Sequence, residues 1–237
     1  NELTMQVSIV AKYFKKLGIK KGDRIAGILP NIPETVISFL ASAKIGAVWS
    51  SCSSDFGPKA ILDRFKQINP KILIIADEYY YNNKKTNTLE NINEIINNLN
   101  SIIKVIIVNY DHRNEITPKV NFLFKNWNDI LKDKYKSIDD VFEKFEFNLP
   151  LYILFSSGTT GPPKCIVHGA GGSLIQHKKE HQLHCNINEN DKVFYFTTCG
   201  WMMWNWLVSC LASKATVYLY DGYPFYPSMN SLFDIIE

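Results

Sequence analysis

Residues 156–164, Ser156-Ser157-Gly158-Thr159-Thr160-Gly161-Pro162-Pro163-Lys164, follow the apolar run "LYILF" and bring hydroxyls, glycines and a lysine together in one turn. These residue types suit a phosphate-bearing ligand. Gly158 and Gly161 permit close backbone approach, so that successive N–H groups can face an anion. The hydroxyls of Ser156, Ser157, Thr159 and Thr160 add donors, and Lys164 adds positive charge. Pro162 and Pro163 stiffen the exit and lower the entropy lost when the loop orders. The spacing is neither GxGxxG nor the P-loop GxxxxGK[ST], and Cys165 stands where the P-loop carries its magnesium-binding hydroxyl. An ordinary polar turn would use similar residues.

Two further groupings have chemical potential. In "GWMMWNW", Trp201, Met202, Met203 and Trp204 combine rigid aromatic walls with adaptable thioethers, which suits a small apolar pocket for a short acyl chain. The same residues also suit the start of a core helix over 201–212. His177, His181 and His184 recur at i, i+4 and i+7 beside Glu180 and Cys185, the spacing of a metal cluster on one helical face. The reading adopted for them is a solvated helix face with no metal. His168 is expected to be structural, and Asp55, Phe56 and Gly57 to lead into a helix starting at Pro58.

The elements that must position these groups alternate in type. Leu3, Val7, Val10, Ala11, Phe14 and Leu17 mark an amphipathic helix that stops at Gly18. "RIAGILP" reads as a strand, Asn31 with Pro33 and Glu34 as the start of a helix reaching about Ile45, and "GAVWS" as the next strand. A helix over 58–67, the strand "KILIIAD", a helix over 89–99 and the strand "KVIIVN" continue the series. Such alternation predicts an α/β fold whose parallel sheet is covered on both faces. Ligands of such sheets lie beyond the carboxyl ends of the strands, which draws attention to "SSCSSDFG" at 50–57. Residues 82–87 read as a solvated loop. The predicted organisation is a helix–strand lobe over 1–110, a connector or insertion over 111–150, and a phosphate-loop lobe over 151–237.

Composition excludes several classes. The 237 residues are 46% apolar and 21% charged, enough to bury a sizeable core. A net charge of +3 is too small to draw nucleic acid or an acidic membrane. Cys52, Cys165, Cys185, Cys199 and Cys210 are odd in number and contain no CxxC pair, which argues against a disulfide framework or zinc ribbon and for a reducing cytosol. Neither a signal segment nor a bilayer-spanning apolar run is present, so a cytosolic location is expected.

The string at 156–164 resembles the phosphate loop of the adenylate-forming enzymes, which include acyl-CoA synthetases, luciferases and peptide-synthetase adenylation domains. The resemblance implies that Ser156, Ser157, Gly158, Thr159, Thr160, Gly161 and Lys164 close over the β- and γ-phosphates of ATP. It continues through Gly171-Gly172, "LHC" at 183–185, "TTCGWMMWN" at 197–205 and "LYDG" at 219–222, and upstream in "GAVWSSCSSDFG" at 46–57. In these stretches the chain is similar to the acetoacetate-activating branch; acetyl- or propionyl-activating synthetases and a non-catalytic nucleotide-binding protein are the alternatives. The resemblance implies Trp201, Met202 and Met203 as the acyl pocket, with acetoacetate, ATP and coenzyme A as small-molecule substrates and Mg²⁺ as the metal cofactor. The loop at Asp55, Phe56 and Gly57 has the position to approach the pantetheine of coenzyme A or to stabilise the contact between lobes, and the helix start before Pro58 is the reading adopted. The implied fold is the large N-terminal domain of such an enzyme. The family's Tyr-x-x-Thr-Glu-like motif, hinge, and C-terminal catalytic domain with its lysine have no counterpart in the sequence. No catalytic residue is therefore expected within it, and the segment is expected to be inactive alone.

Overall fold

The short, branched apolar runs of the sequence form the central strands of the main sheet, where nearly every residue on both faces is buried. The computed structural model describes residues 2–111, 122–132, 142–156 and 161–235. In chain order these form α1 (Glu2–Lys16), β1 (Arg24–Ile28), α2 (Pro33–Lys44), β2 (Val48–Cys52), α3 (Pro58–Ile68), β3 (Ile72–Ala76), β4 (Glu78–Tyr81), β5 (Lys84–Asn87), α4 (Ile92–Asn97), β6 (Lys104–Val108), β7 (Phe124–Asn126) and α5 (Trp127–Lys132). They continue as β8 (Pro150–Phe155), β9 (Cys165–Gly169), α6 (Ala170–Lys179), β10 (Lys192–Phe194), α7 (Met202–Ser209) and β11 (Thr216–Tyr218).

Seven strands form the main sheet in the order β7-β6-β3-β1-β2-β8-β9. All neighbours are parallel except β8 and β9, which form an antiparallel hairpin. The predicted α/β architecture with a mainly parallel sheet is therefore present. Strand alternation sorts the core into two layers. Ile72 and Ile74 face α1, α2 and α5, packing with Phe14, Phe39, Trp127 and Ile130. Leu73 and Ile75 face α3 and α4, packing with Ile61, Phe65, Ile92 and Ile95. Each such fully buried side chain contributes roughly 1.5–3 kcal/mol.

Local chemistry sets the element ends. Gly18, at φ +82°, terminates α1, and Asn69, at φ +46°, provides the left-handed cap of α3. Gly46 also needs a positive φ, +69°, so "GAVWS" starts as a turn, and β2 begins at Val48 and runs on to Cys52. Pro33 and Pro58 occupy first-turn positions of α2 and α3, where a missing N–H costs nothing. Residues 82–87, expected to be a loop, instead contain β5, which pairs antiparallel with β4. Asn82 and Asn83, at φ +47° and +59°, make the two-residue turn such a hairpin requires. Within the expected connector, β7 and α5 extend the sheet beyond β6 and bury Trp127 and Ile130.

Candidate functional site

The carboxyl ends of the strands open into a crevice. Leu29, Pro30 and Asn31 leave β1, Ser53, Ser54 and Asp55 leave β2, and Tyr79, Tyr80 and Tyr81 lie just after β3. Phe196, Thr197, Thr198 and Cys199 follow β10, while Tyr220, Asp221 and Gly222 follow β11. This is where an open parallel sheet places its ligands, because the exit loops diverge there. The strand-exit stretch 50–57 thus contributes to the wall through Ser53, Ser54 and Asp55, while Gly57 caps α3. Phe56 turns to the guanidinium of Arg64, 4.7 Å from the ring centre.

A buried polar network forms the wall of the crevice. Tyr110 Oη donates to Asp221 Oδ2 at 2.8 Å, and the Asn31 backbone N–H also donates to that carboxylate. Burial nevertheless holds the Asp221 carboxyl above the usual range, with the two hydrogen bonds acting against it. Burial and the neighbouring Asp221 push the Tyr110 phenol up. The side chain of Asn31 is held at both ends: Nδ2 donates to the Tyr220 carbonyl at 3.2 Å, and Oδ1 accepts from Trp204 Nε1 at 2.9 Å. Asn31 was read from sequence as a helix start signal, but the N-cap position of α2 belongs to Ile32.

The phosphate-type loop joins β8 to β9. Ser157, Gly158, Thr159 and Thr160 lie outside the described residues. The base of the loop is closed by Ser156 N donating to the Lys164 carbonyl at 3.0 Å and Lys164 N donating to Ser156 Oγ at 3.2 Å. Gln67 at the end of α3 fixes the exit by donating to the Pro163 carbonyl at 2.7 Å. Gly161 has φ +154° with open space around it, and the Lys164 side chain is exposed. His168, beyond the loop on β9, stacks on Tyr152 at 4.7 Å, and burial lowers its pKa.

Trp201, Met202 and Met203 come together with Tyr195, Phe196, Thr197 and Thr198 around an open apolar groove. Phe196, Thr197 and Thr198 belong to both groove and crevice, so the two are contiguous. Trp201 is 57% exposed at the start of α7. Trp204 does not line the groove: it is fully buried and packs edge-on against Phe39 at 5.8 Å.

The histidines correct a sequence expectation. His177 and His181 are buried, not solvated, with ring centres 6.3 Å apart. His177 Nδ1 is 2.8 Å from Ser209 Oγ, and His181 Nε2 is 3.3 Å from Cys210 Sγ. A π-helical turn over Glu180–His184 breaks the 3.6-residue period, and His184 is left exposed. Among the described residues, no three His, Cys, Asp or Glu side chains are placed to hold a metal ion. Burial raises the thiols of Cys52 and Cys210 to about 12, so neither supplies a thiolate near neutral pH.

The sequence signals for Asn31, Tyr79, Tyr80, Tyr81 and Asp221 were weak one residue at a time. What they share is position, each lying just beyond the carboxyl end of a strand or, for the tyrosines, in the hairpin that follows one.

The model of the AMP-binding enzyme family matches residues 1–237. The chain belongs to the AMP-binding enzymes. Among relatives in this family, the acetoacetyl-coenzyme A synthetase of Rhizobium meliloti (strain 1021) is 47% identical over 234 residues, covering 99% of this chain and 36% of its own. The acetoacetyl-CoA synthetase of Gallus gallus is 46% identical over 243 residues, covering 100% of this chain and 36% of its own. A solved structure, acetoacetyl-CoA synthetase from Streptomyces lividans, superposes with a TM-score of 0.92 at 38% identity, covering 100% of this chain and 35% of that one. This AMP-binding segment thus spans about a third of the length of the relatives it matches. Among the described residues, no helix is long and apolar enough to cross a membrane.

Proposed function

We propose that the protein carrying this segment activates acetoacetate with ATP, releasing pyrophosphate, and passes the acyl group from the adenylate to the thiol of coenzyme A with release of AMP. The observation that carries the reading is the unbroken similarity, 47% identity across 99% of the chain, to a protein named acetoacetyl-coenzyme A synthetase. The geometry agrees with it: an anion-type loop sits on a hairpin of the main sheet, and a crevice at the strand ends is contiguous with an apolar groove.

In this reading Ser156, Ser157, Gly158, Thr159, Thr160, Gly161 and Lys164 bind the β- and γ-phosphates. Their N–H groups, hydroxyls and lysine stabilise charge that grows on the departing pyrophosphate. Mg²⁺, when bound with ATP, would supply further neutralisation of the phosphates. Trp201, Met202 and Met203 border the short acyl group, and the crevice beside Asp55 receives the pantetheine arm. Such a protein acts on small molecules in the cytosol.

Acid-dependent ATP–pyrophosphate exchange by the protein in its full natural length tests this, with acetoacetate, acetate and propionate compared. Strongest exchange with acetoacetate is the expected result. A preference for acetate or propionate would refute the acid assignment, and ATP binding without exchange would refute the ligase reading.

A further inference from the structure

We propose that Asn31 is a positioning residue for acid selection, keying the first turn of α7 to the exit of β1; this rests on the ligase reading and on the groove as the acyl site. The groove residues Trp201, Met202 and Met203 sit at the very start of α7, where a small rotation of the helix moves all three. The start of α7 has few intrinsic restraints, since its N-cap Trp201 makes no side-chain cap. Its orientation must come from contacts to other elements.

Those contacts converge on the ends of β1 and β2. One turn into α7, Trp204 Nε1 donates to Asn31 Oδ1 at 2.9 Å. Just before α7, Cys199 Sγ donates to the Pro30 carbonyl at 3.2 Å, and Ser51 Oγ donates to the Cys199 carbonyl at 2.6 Å. Gly200 lies against the backbone of β2, where an added Cβ would sit in ordinary contact at 3.5 Å from the Ser51 carbonyl. Among these, Asn31 alone also reaches the opposite wall, through Nδ2 to the Tyr220 carbonyl and its own N–H to Asp221. Its amide therefore fixes the spacing between the groove-bearing helix and the loop after β11. Both of its polar ends are matched to specific partners in a site where Asn31 is 4% exposed, so no isosteric apolar residue can keep both.

A residue acting this way changes the fit of the acid more than the fit of ATP. Asn31→Leu in the full-length protein keeps the branched shape of the side chain and removes both of its hydrogen bonds. Trp204→Phe keeps an aromatic ring against Phe39 while removing the N–H donor together with the five-membered ring, and it serves as the second variant if Asn31→Leu folds poorly. In ATP–pyrophosphate exchange, the KM for acetoacetate is expected to rise about tenfold in either variant, with the KM for ATP held within about twofold. The preference for acetoacetate over acetate should fall by a similar factor. Loss of active protein alone would lower kcat equally for every acid with KM unchanged, and that result, or an unchanged acid preference, overturns the proposal. If wild-type protein shows no acid-dependent exchange, the ligase reading fails and the positioning role falls with it. Normal wild-type exchange with unaltered variants refutes the positioning role alone.

Discussion

Lowering the pH from 7 to 5 charges the histidines of the unfolded chain while His177 stays neutral in the fold. Burial, reinforced by His181, lowers its pKa from an ordinary 6.5 to about 4. The sign follows from proton counting. Between these two values the unfolded state binds more protons, so stability falls as the pH falls. At pH 5 the unfolded imidazole is about 97% protonated and the buried one about 10%, which makes the loss between pH 7 and 5 about 2 kcal/mol from this residue. Well below pH 4 the loss levels off at about 3 kcal/mol. The partner variant is His177→Asn, whose amide sits near the Nδ1 position, retains a bond to Ser209 Oγ and does not titrate. Urea unfolding of wild type and variant at pH 7, 6 and 5, followed by tryptophan fluorescence, measures the difference directly. The wild type should lose about 2 kcal/mol relative to the variant over this range. A constant difference between the two would refute the reasoning, because it would mean that His177 is equally free to take a proton in the fold.

Three other perturbations separate packing from chemistry. Gly27→Ala on β1 would place a Cβ 2.7 Å from Cη2 of the buried Trp49, which Ser51 and the sheet hold in place, and should cost about 1–3 kcal/mol in thermal or urea unfolding. Gly171→Ala would also meet a ring, but Phe147 is 58% exposed and can swing away, so its cost should stay within about 1 kcal/mol by the same measurement. Lys164→Ala is expected to lower ATP–pyrophosphate exchange about 10²-fold while leaving the unfolding curve unchanged, since its side chain is exposed. A wild-type exchange rate in that variant would remove Lys164 from the phosphate site.

The fold was legible because its signals are periodic and local. Runs such as "KILIIAD" could only be strands buried on both faces, and Gly18 and Pro58 punctuated the helices where the structure places their ends. The loop at 156–164 was read as phosphate-binding through its resemblance to a family, since an ordinary polar turn would use similar residue types. What escaped was set by tertiary contacts. Asn31 looks like a capping residue, and only the arrival of Trp204 and Tyr220, both far along the chain, gives its amide another use. His177 and His181 were assigned to solvent because their helix is polar, with Lys178, Lys179 and Glu180 around them. The packing of α7 against α6 buries them, and the π-helical turn, invisible to a 3.6-residue count, sends His184 the other way. The hairpin of β4 and β5 was missed because all four residues of β5 are exposed and carry no apolar alternation.

The strand order also sets an order of assembly. β1, β2, β3 and β6 all lie between residues 24 and 108 and pair with one another in the order β6-β3-β1-β2. β8 docks on β2 only after a long interval: Ser50 Oγ reaches the Ile153 carbonyl across 103 residues of chain. Closing so long a loop is entropically slow, whereas the strand pairings of the four-strand unit involve only residues 24–108. On a ribosome, that unit can form while the hairpin bearing the phosphate loop is still being made. Until β8 arrives, the outer edge of β2 is an unpaired strand, and it is the place where a nascent chain of this protein is most exposed to mispairing with another copy.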